Sequence, residues 1–147
     1  MTRIASAIVI QAPIEKIFDY VTTPANWPNW HPASLAVGEG ADHPLEVGER
    51  VTEDFEAAGR RGRAVWTVRE RAPPHRWVID GTSEGGGEAT ITYRLTPEGG
   101  AARFERELVY HMPNLTLAFL NIVVIRRRMA AESAEALRRL KAVLEAG

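Results

Sequence analysis

The amino-acid sequence predicts an α+β fold in which one curved antiparallel sheet wraps around a long C-terminal α-helix, with two short helices after the first strand. Three observations predict it. Apolar residues alternate in Ile4–Ile10, recur at three- and four-residue intervals from Ile14, and alternate again between Val51 and His111. Each gap between the later alternating runs holds Gly or Pro. The tail from Asn114 has neither residue until Gly147.

Each element has its own signal. Ile4–Ile10 is rich in β-branched residues, places Ile4, Ile8 and Ile10 on one parity, and stops at "QAP", as a strand would. Pro13 then opens a helix whose Ile14, Ile17, Phe18 and Val21 share a face, with Glu15 in the first turn. Thr23 and Pro24 suit the cap and first position of a second, shorter helix, strained by Pro28 and ended by Pro32. A loop-like stretch containing "GEGADHPLEVGE" follows. Five strands are expected at Val51–Ala57, Arg63–Arg71, Arg76–Ser83, Glu88–Thr96 and Arg103–His111, separated by "AGRRG", "APPH", "EGGG" and "PEGGA". The tail places Met129, Leu137, Leu140 and Leu144 near helical spacing and reads as one long amphipathic helix. No repeat or linker divides residues 1–147, so a single domain is expected. A strongly twisted meander curls over the long helix, the short helices close one end, and a cavity is left between helix and sheet.

Composition narrows the function. The 147 residues carry 18 basic and 19 acidic side chains, a net charge of -1, so no general field attracts nucleic acid. With no cysteine there are no disulfides, thiolate nucleophiles or Cys-based zinc sites, which fits a reducing compartment. The N-terminus alternates like a strand and lacks a convincing cleavage region, and Leu115–Ile125 is too short to span a bilayer, so a cytoplasmic protein is expected.

Three stretches resemble the START-related superfamily, also called SRPBCC, and within it the polyketide cyclase/dehydrase branch. They are "IVIQAPIEKIFDYVTTPANWPNWHP" (residues 8–32), "VWTVRERAPPHRWVI" around Pro73 and Pro74, and "TYRLTPEGGAARF". The resemblance spans essentially the whole chain. It implies the helix-grip fold and a hydrophobic ligand cavity under the long helix, but no fixed catalytic set.

Strand alternation nominates the cavity lining, taking on each strand the parity with more large apolar residues. This selects Val51, Glu53, Phe55, Trp66, Val68, Trp77, Ile79, Ile91, Tyr93, Leu95, Phe104, Arg106, Leu108 and Tyr110. Glu53 and Arg106 are the charged members, and a buried charge needs a partner. Either they form an ion pair, or Arg106 meets a ligand carboxylate or carbonyl, or a bulge turns one of them to solvent. Trp27 and Trp30 share a helical face and either plug the cavity end or simply pack the core. His31 is read either as an acid or base in the cavity or as a residue that caps or stays solvated.

Other constellations carry less. His31, His43, His75 and His111 lack metal-ligand spacing, and no metal or other cofactor is expected. "EGGGE" lies between strands with no Lys and reads as a hairpin turn, while Ser6, Ser34, Ser83 and Ser133 have no neighbouring base. Arg126–Arg128 reads as a solvated face. Leu115–Ile125 is apolar nearly all round, so one side is expected to line the cavity, with Phe119 among the ligand-binding residues, and the other to meet a movable loop or a second copy in a homodimer.

The function expected first is binding of a hydrophobic or amphipathic small molecule such as a lipid, isoprenoid or polyketide-like compound, by Trp30, His31, Glu53, Phe55, Trp66, Trp77, Tyr93, Phe104, Arg106, Tyr110 and Phe119. The alternative is a cyclase, aromatase or dehydratase in which His31, Glu53, Arg106 or Tyr93 moves protons or polarises a carbonyl. A third reading is a protein-partner adaptor.

Overall fold

The computed structural model describes residues 1–146. Strand β1 (Thr2–Ile10) leads into helix α1 (Ile14–Val21), a 3₁₀ turn at Pro24–Asn26 and the short helix α2 (Trp27–Trp30). Six strands follow: β2 (Ser34–Val37), β3 (Arg50–Ala57), β4 (Arg60–Ala72), β5 (Arg76–Ser83), β6 (Glu88–Glu98) and β7 (Ala101–His111). Helix α3 (Leu115–Leu120), a π-helical turn at Asn121–Ile125 and helix α4 (Arg126–Ala146) complete the chain. The strands form one antiparallel sheet in the order β1-β7-β6-β5-β4-β3-β2. Because β1 returns to pair with β7, the meander curls and its concave face receives α4, the predicted α+β helix-grip arrangement.

Burial explains the elements. Helix α1 buries Ile17, Phe18 and Val21, the face its spacing defines, and Thr22 Oγ1 closes its C-terminus by donating to the Phe18 carbonyl at 2.8 Å. Helix α4 buries Ser133, Ala136, Leu137, Leu140 and Leu144 across β1 and α2. Each fully buried Leu contributes about 1.5–3 kcal/mol of transfer free energy. Every residue that alternation places on the concave face is buried or half-buried.

The structure departs from the sequence reading in three places. Strand β2, only four residues long, lies in a stretch read as loop; it pairs with β3 across a register shift and is too short to show alternation. The gap "AGRRG" shrinks to a turn at Ala58 and Gly59, with φ of 51° and 79°, leaving Arg60 and Arg61 in β4. Ala58 is held in that left-handed conformation by α4: its N–H donates to the Glu132 carboxylate and its carbonyl accepts from Arg128 Nη1, each at 3.1 Å. Finally, the C-terminal helix is interrupted by the π turn. Ile122–Ile125 are four successive β-branched residues, stiff in an α-helix, and the wider turn lets Asn121 and Ile125 both face inward.

Candidate ligand cavity

Between the concave sheet and the C-terminal helix lies a cavity of about 520 Å³. Three kinds of side chain shape it. At the closed end, Trp30 meets Phe104 edge-on at 6.4 Å and Tyr93 at 6.3 Å, while Trp77 stacks on Tyr93 at 5.4 Å. The 3₁₀ turn and α2 deliver Trp27 and Trp30 there, and Trp27 Nε1 donates to the Val21 carbonyl at 3.0 Å. The tryptophan-rich segment thus both packs the core and walls the cavity.

The floor depends on two glycines. Trp66 faces Gly81 across β4 and β5, and Phe55 faces Gly62 across β3 and β4. A Cβ on Gly81 would sit 2.4 Å from the Trp66 ring, and one on Gly62 2.7 Å from the Phe55 ring. Both rings therefore lie flat over bare backbone, which keeps their volume out of the cavity.

Polar groups are few. Arg106, 6% exposed, donates through Nη1 to Ser133 Oγ at 3.2 Å, and its Nε has no protein partner. The Trp30 Nε1 is likewise buried without one. Tyr93, cross-strand neighbour of Arg106, has its hydroxyl pKa pushed up to about 12 by burial, so it stays neutral. His31 follows α2, and its Nδ1 accepts the Ala33 N–H at 3.1 Å, which places the ring proton on Nε2. Burial, reinforced by Arg106 and Arg139, holds its pKa well below the usual imidazole range. Glu53 accepts from Trp66 Nε1 at 3.0 Å, and burial raises its pKa.

Of the side chains nominated from sequence, Trp30, His31, Glu53, Phe55, Trp66, Ile91, Tyr93, Arg106, Leu108 and Tyr110 line the cavity, whereas Val51, Val68, Ile79 and Leu95 share the inward parity but are packed in the core away from it. Trp77 and Phe104 are fully buried behind that wall. Trp77 is drawn there by the Leu45 carbonyl, which accepts its indole N–H at 3.1 Å, and Phe104 is enclosed by Trp30 and Tyr93. Phe119 is 66% exposed, because on α3 it is Leu117 that faces the cavity. The Glu53–Arg106 ion pair does not form. Three strands lie between β3 and β7, and although the curl of the sheet brings the two groups onto one cavity, near enough for the Arg106 charge to act on the Glu53 carboxyl, they make no contact.

Alternation also left lining residues unnamed. Met129 and Ser133 lie on the cavity side of α4, and their four-residue spacing, continued at Leu137, was a usable signal. Met112 and Pro113, which follow β7, had none.

At the open end Leu115, Phe119, Leu120, Ile122, Val123 and Val124 are between 40% and 88% exposed. Asn121 anchors this segment: it accepts from the Tyr110 hydroxyl and donates to Thr2 Oγ1 at 2.8 Å. Arg126–Arg128 are exposed, as expected. No helix among the described residues is long and apolar enough to cross a membrane.

A sheet curled over a long helix around a mostly apolar cavity defines the helix-grip class of fold. The family described as polyketide cyclase/dehydrase and lipid transport matches residues 1–145, and the chain belongs to it. Among solved structures, the fold is shared with the protein CV1439 of Chromobacterium violaceum at a TM-score of 0.75 and 18% identity, covering 97% of this chain and 96% of that one. A Rhodobacter sphaeroides protein is similar at a TM-score of 0.74 and 26% identity, covering 99% and 93%. The chain is also 35% identical over 65 residues to Penitrem biosynthesis cluster 1 protein I of Penicillium ochrochloron, a match spanning 43% of this chain and 42% of that protein.

Proposed function

We propose that the protein binds a hydrophobic or amphipathic small molecule, such as a lipid, isoprenoid or polyketide-like compound, between the sheet and the C-terminal helix. The observation that carries this reading is the cavity itself: about 520 Å³, within the size range of small-molecule sites, largely apolar, with a few polar groups that would orient a guest. Membership of a family described by polyketide cyclisation and lipid transport supports it. Native mass spectrometry of the purified protein, followed by extraction and identification of the bound species, tests it. A stoichiometric apolar compound is expected; a ligand-free protein that binds none of a panel of such compounds would overturn the reading.

A second reading, a cyclase, aromatase or dehydratase, is favoured by one specific arrangement. A neutral His31 with its proton on Nε2 and a carboxyl group at Glu53 with raised pKa line the same cavity as the Arg106 cation. A carbonyl lodged there would find both proton donors and a positive charge. Turnover of a poly-β-carbonyl substrate, lost in His31→Asn and Glu53→Gln, is the expected signature. For a homodimer the surface we favour is the exposed face of α3 and the π turn that follows it, where six large apolar side chains crowd into one stretch beside the cavity. Sedimentation velocity would show a dimer that dissociates when Phe119 and Ile122 become Ser.

A further inference from the structure

The closed end of the cavity contains donors without acceptors. Arg106 is 6% exposed, and among the described residues it forms no ion pair; its only hydrogen-bond partner through Nη1 is the neutral Ser133 hydroxyl. Its Nε is buried and free, as is the indole N–H of Trp30, and both side chains line the cavity. His31 Nε2 adds a third donor to the same lining, since Nδ1 is already engaged by Ala33. The side chains packed beside the guanidinium, Tyr93 and Ser6 across the neighbouring strands and Ser133 from α4, are neutral. Glu53 shares the cavity and feels the Arg106 charge, but its carboxyl accepts from Trp66, forms no ion pair with Arg106, and is pushed by burial toward its neutral form.

A buried cation is costly without a counter-charge, and a buried donor without an acceptor costs about 1–3 kcal/mol. Elsewhere the chain supplies such partners freely. Arg3, Arg61, Arg63, Arg69, Arg76 and Arg103 all hold carboxylates at the surface, where they need them least. Arg106, the arginine taken fully out of water, has no carboxylate partner; the other buried guanidinium donor without an acceptor, Arg71 Nε, belongs to a half-exposed side chain that lies over the Phe18 ring. A group that is all acceptor and carries negative charge would satisfy Arg106 Nε, Trp30 Nε1 and the charge together, and a planar carboxylate matches the guanidinium fork.

We propose that Arg106 and Trp30 form an anion receptor, and that the ligand is an apolar molecule with a carboxylate or equivalent oxyanion at its buried end. This rests on the reading of the cavity as a ligand site and specifies its substrate class. The ligand enters apolar body outward and acidic head inward, so that its body lies over Phe55 and Trp66.

The test uses matched probes. Dodecanoate and 2-anthracenecarboxylate, with their methyl esters, are titrated by calorimetry or fluorescence into delipidated wild-type protein and into Arg106→Met and Arg106→Lys. The acids are expected to bind roughly 10- to 100-fold more tightly than their esters, Arg106→Met to erase that preference while leaving ester affinity within about threefold, and Arg106→Lys to fall between. Acids and esters binding equally would leave the cavity reading standing and overturn the anion receptor; failure of all four probes would overturn both. The free protein supplies an independent readout: without a ligand the guanidinium is uncompensated, so Arg106→Met should leave Tm unchanged or raise it by about 2–4 °C. A fall in Tm would mean that the charge already has its partner within the fold, against the proposal.

Discussion

The two ends of the cavity are built from the same apolar residue types and treat them in opposite ways. At the closed end Trp30, Trp77 and Phe104 have at most 1% of their surface exposed, and each ring is in edge or stacked contact with another. At the open end Leu115 and Phe119 on α3 and Ile122 in the π turn are between 66% and 88% exposed, and the contacts of α3 lie mainly with that turn. Apolar character alone therefore separates nothing here. What separates the ends is whether neighbouring elements converge: α1, α2, α4 and the sheet meet at the first, whereas the second extends past the sheet. The closed end is paid for in folding free energy, and the open end is available for something outside the chain.

The comparison can be broken most severely at the closed end. Trp77→Ala should cost about 3–5 kcal/mol in urea denaturation, since it empties a fully buried site and strips the Leu45 carbonyl of its donor. A loss below 1 kcal/mol would show that this wall is not packed as described. Gly81→Val comes next, at about 1–3 kcal/mol, because the new side chain collides with Trp66 and turns that ring into the cavity. Uptake of an apolar fluorescent probe such as anilinonaphthalene sulfonate should fall with it; undiminished uptake would refute the flat-ring floor.

A smaller effect depends on pH. The unfolded chain protonates His31 near 6.5, whereas the folded chain does so only at lower pH, so acid favours unfolding through this residue. Its contribution is intact above about pH 6.5 and lost as pH falls toward the folded value. Glu53 works in the other sense: its raised folded pKa favours the fold below the unfolded value of 4.5, and that contribution is lost as pH rises through the folded pKa. His31→Asn should therefore flatten the decline in stability between about pH 6.5 and 5, and an unaltered slope would mean that His31 is solvated. Smallest of all, Phe119→Ser with Ile122→Ser should shift stability by no more than about 0.5 kcal/mol per site, since neither side chain is packed. A larger loss would place the open end inside the cooperative core.

Most of the fold was legible. The switch from two-residue to 3.6-residue spacing at Pro13 located the β1–α1 boundary, and Gly and Pro marked the hairpins, because these signals lie within a few residues of chain. What escaped was set from afar. Ala58 adopts its left-handed turn because Glu132 and Arg128, some seventy residues on, bind its N–H and carbonyl. Strand β2 exists because β3 offers an edge.

For the site, sequence by itself determined which side chains face inward. A strand has a period of two, so Trp66, Tyr93 and Arg106 could be assigned from neighbours alone. Only the tertiary structure decided which of those side chains fill space and which enclose it. Trp77 and Phe104 share the inward parity of Tyr93, yet they lie behind the wall. The separation of Glu53 from Arg106 likewise follows from strand order. Cavity volume, and whether a buried charge finds a partner, depend on the curvature of seven strands and the reach of one helix, quantities that no local period encodes.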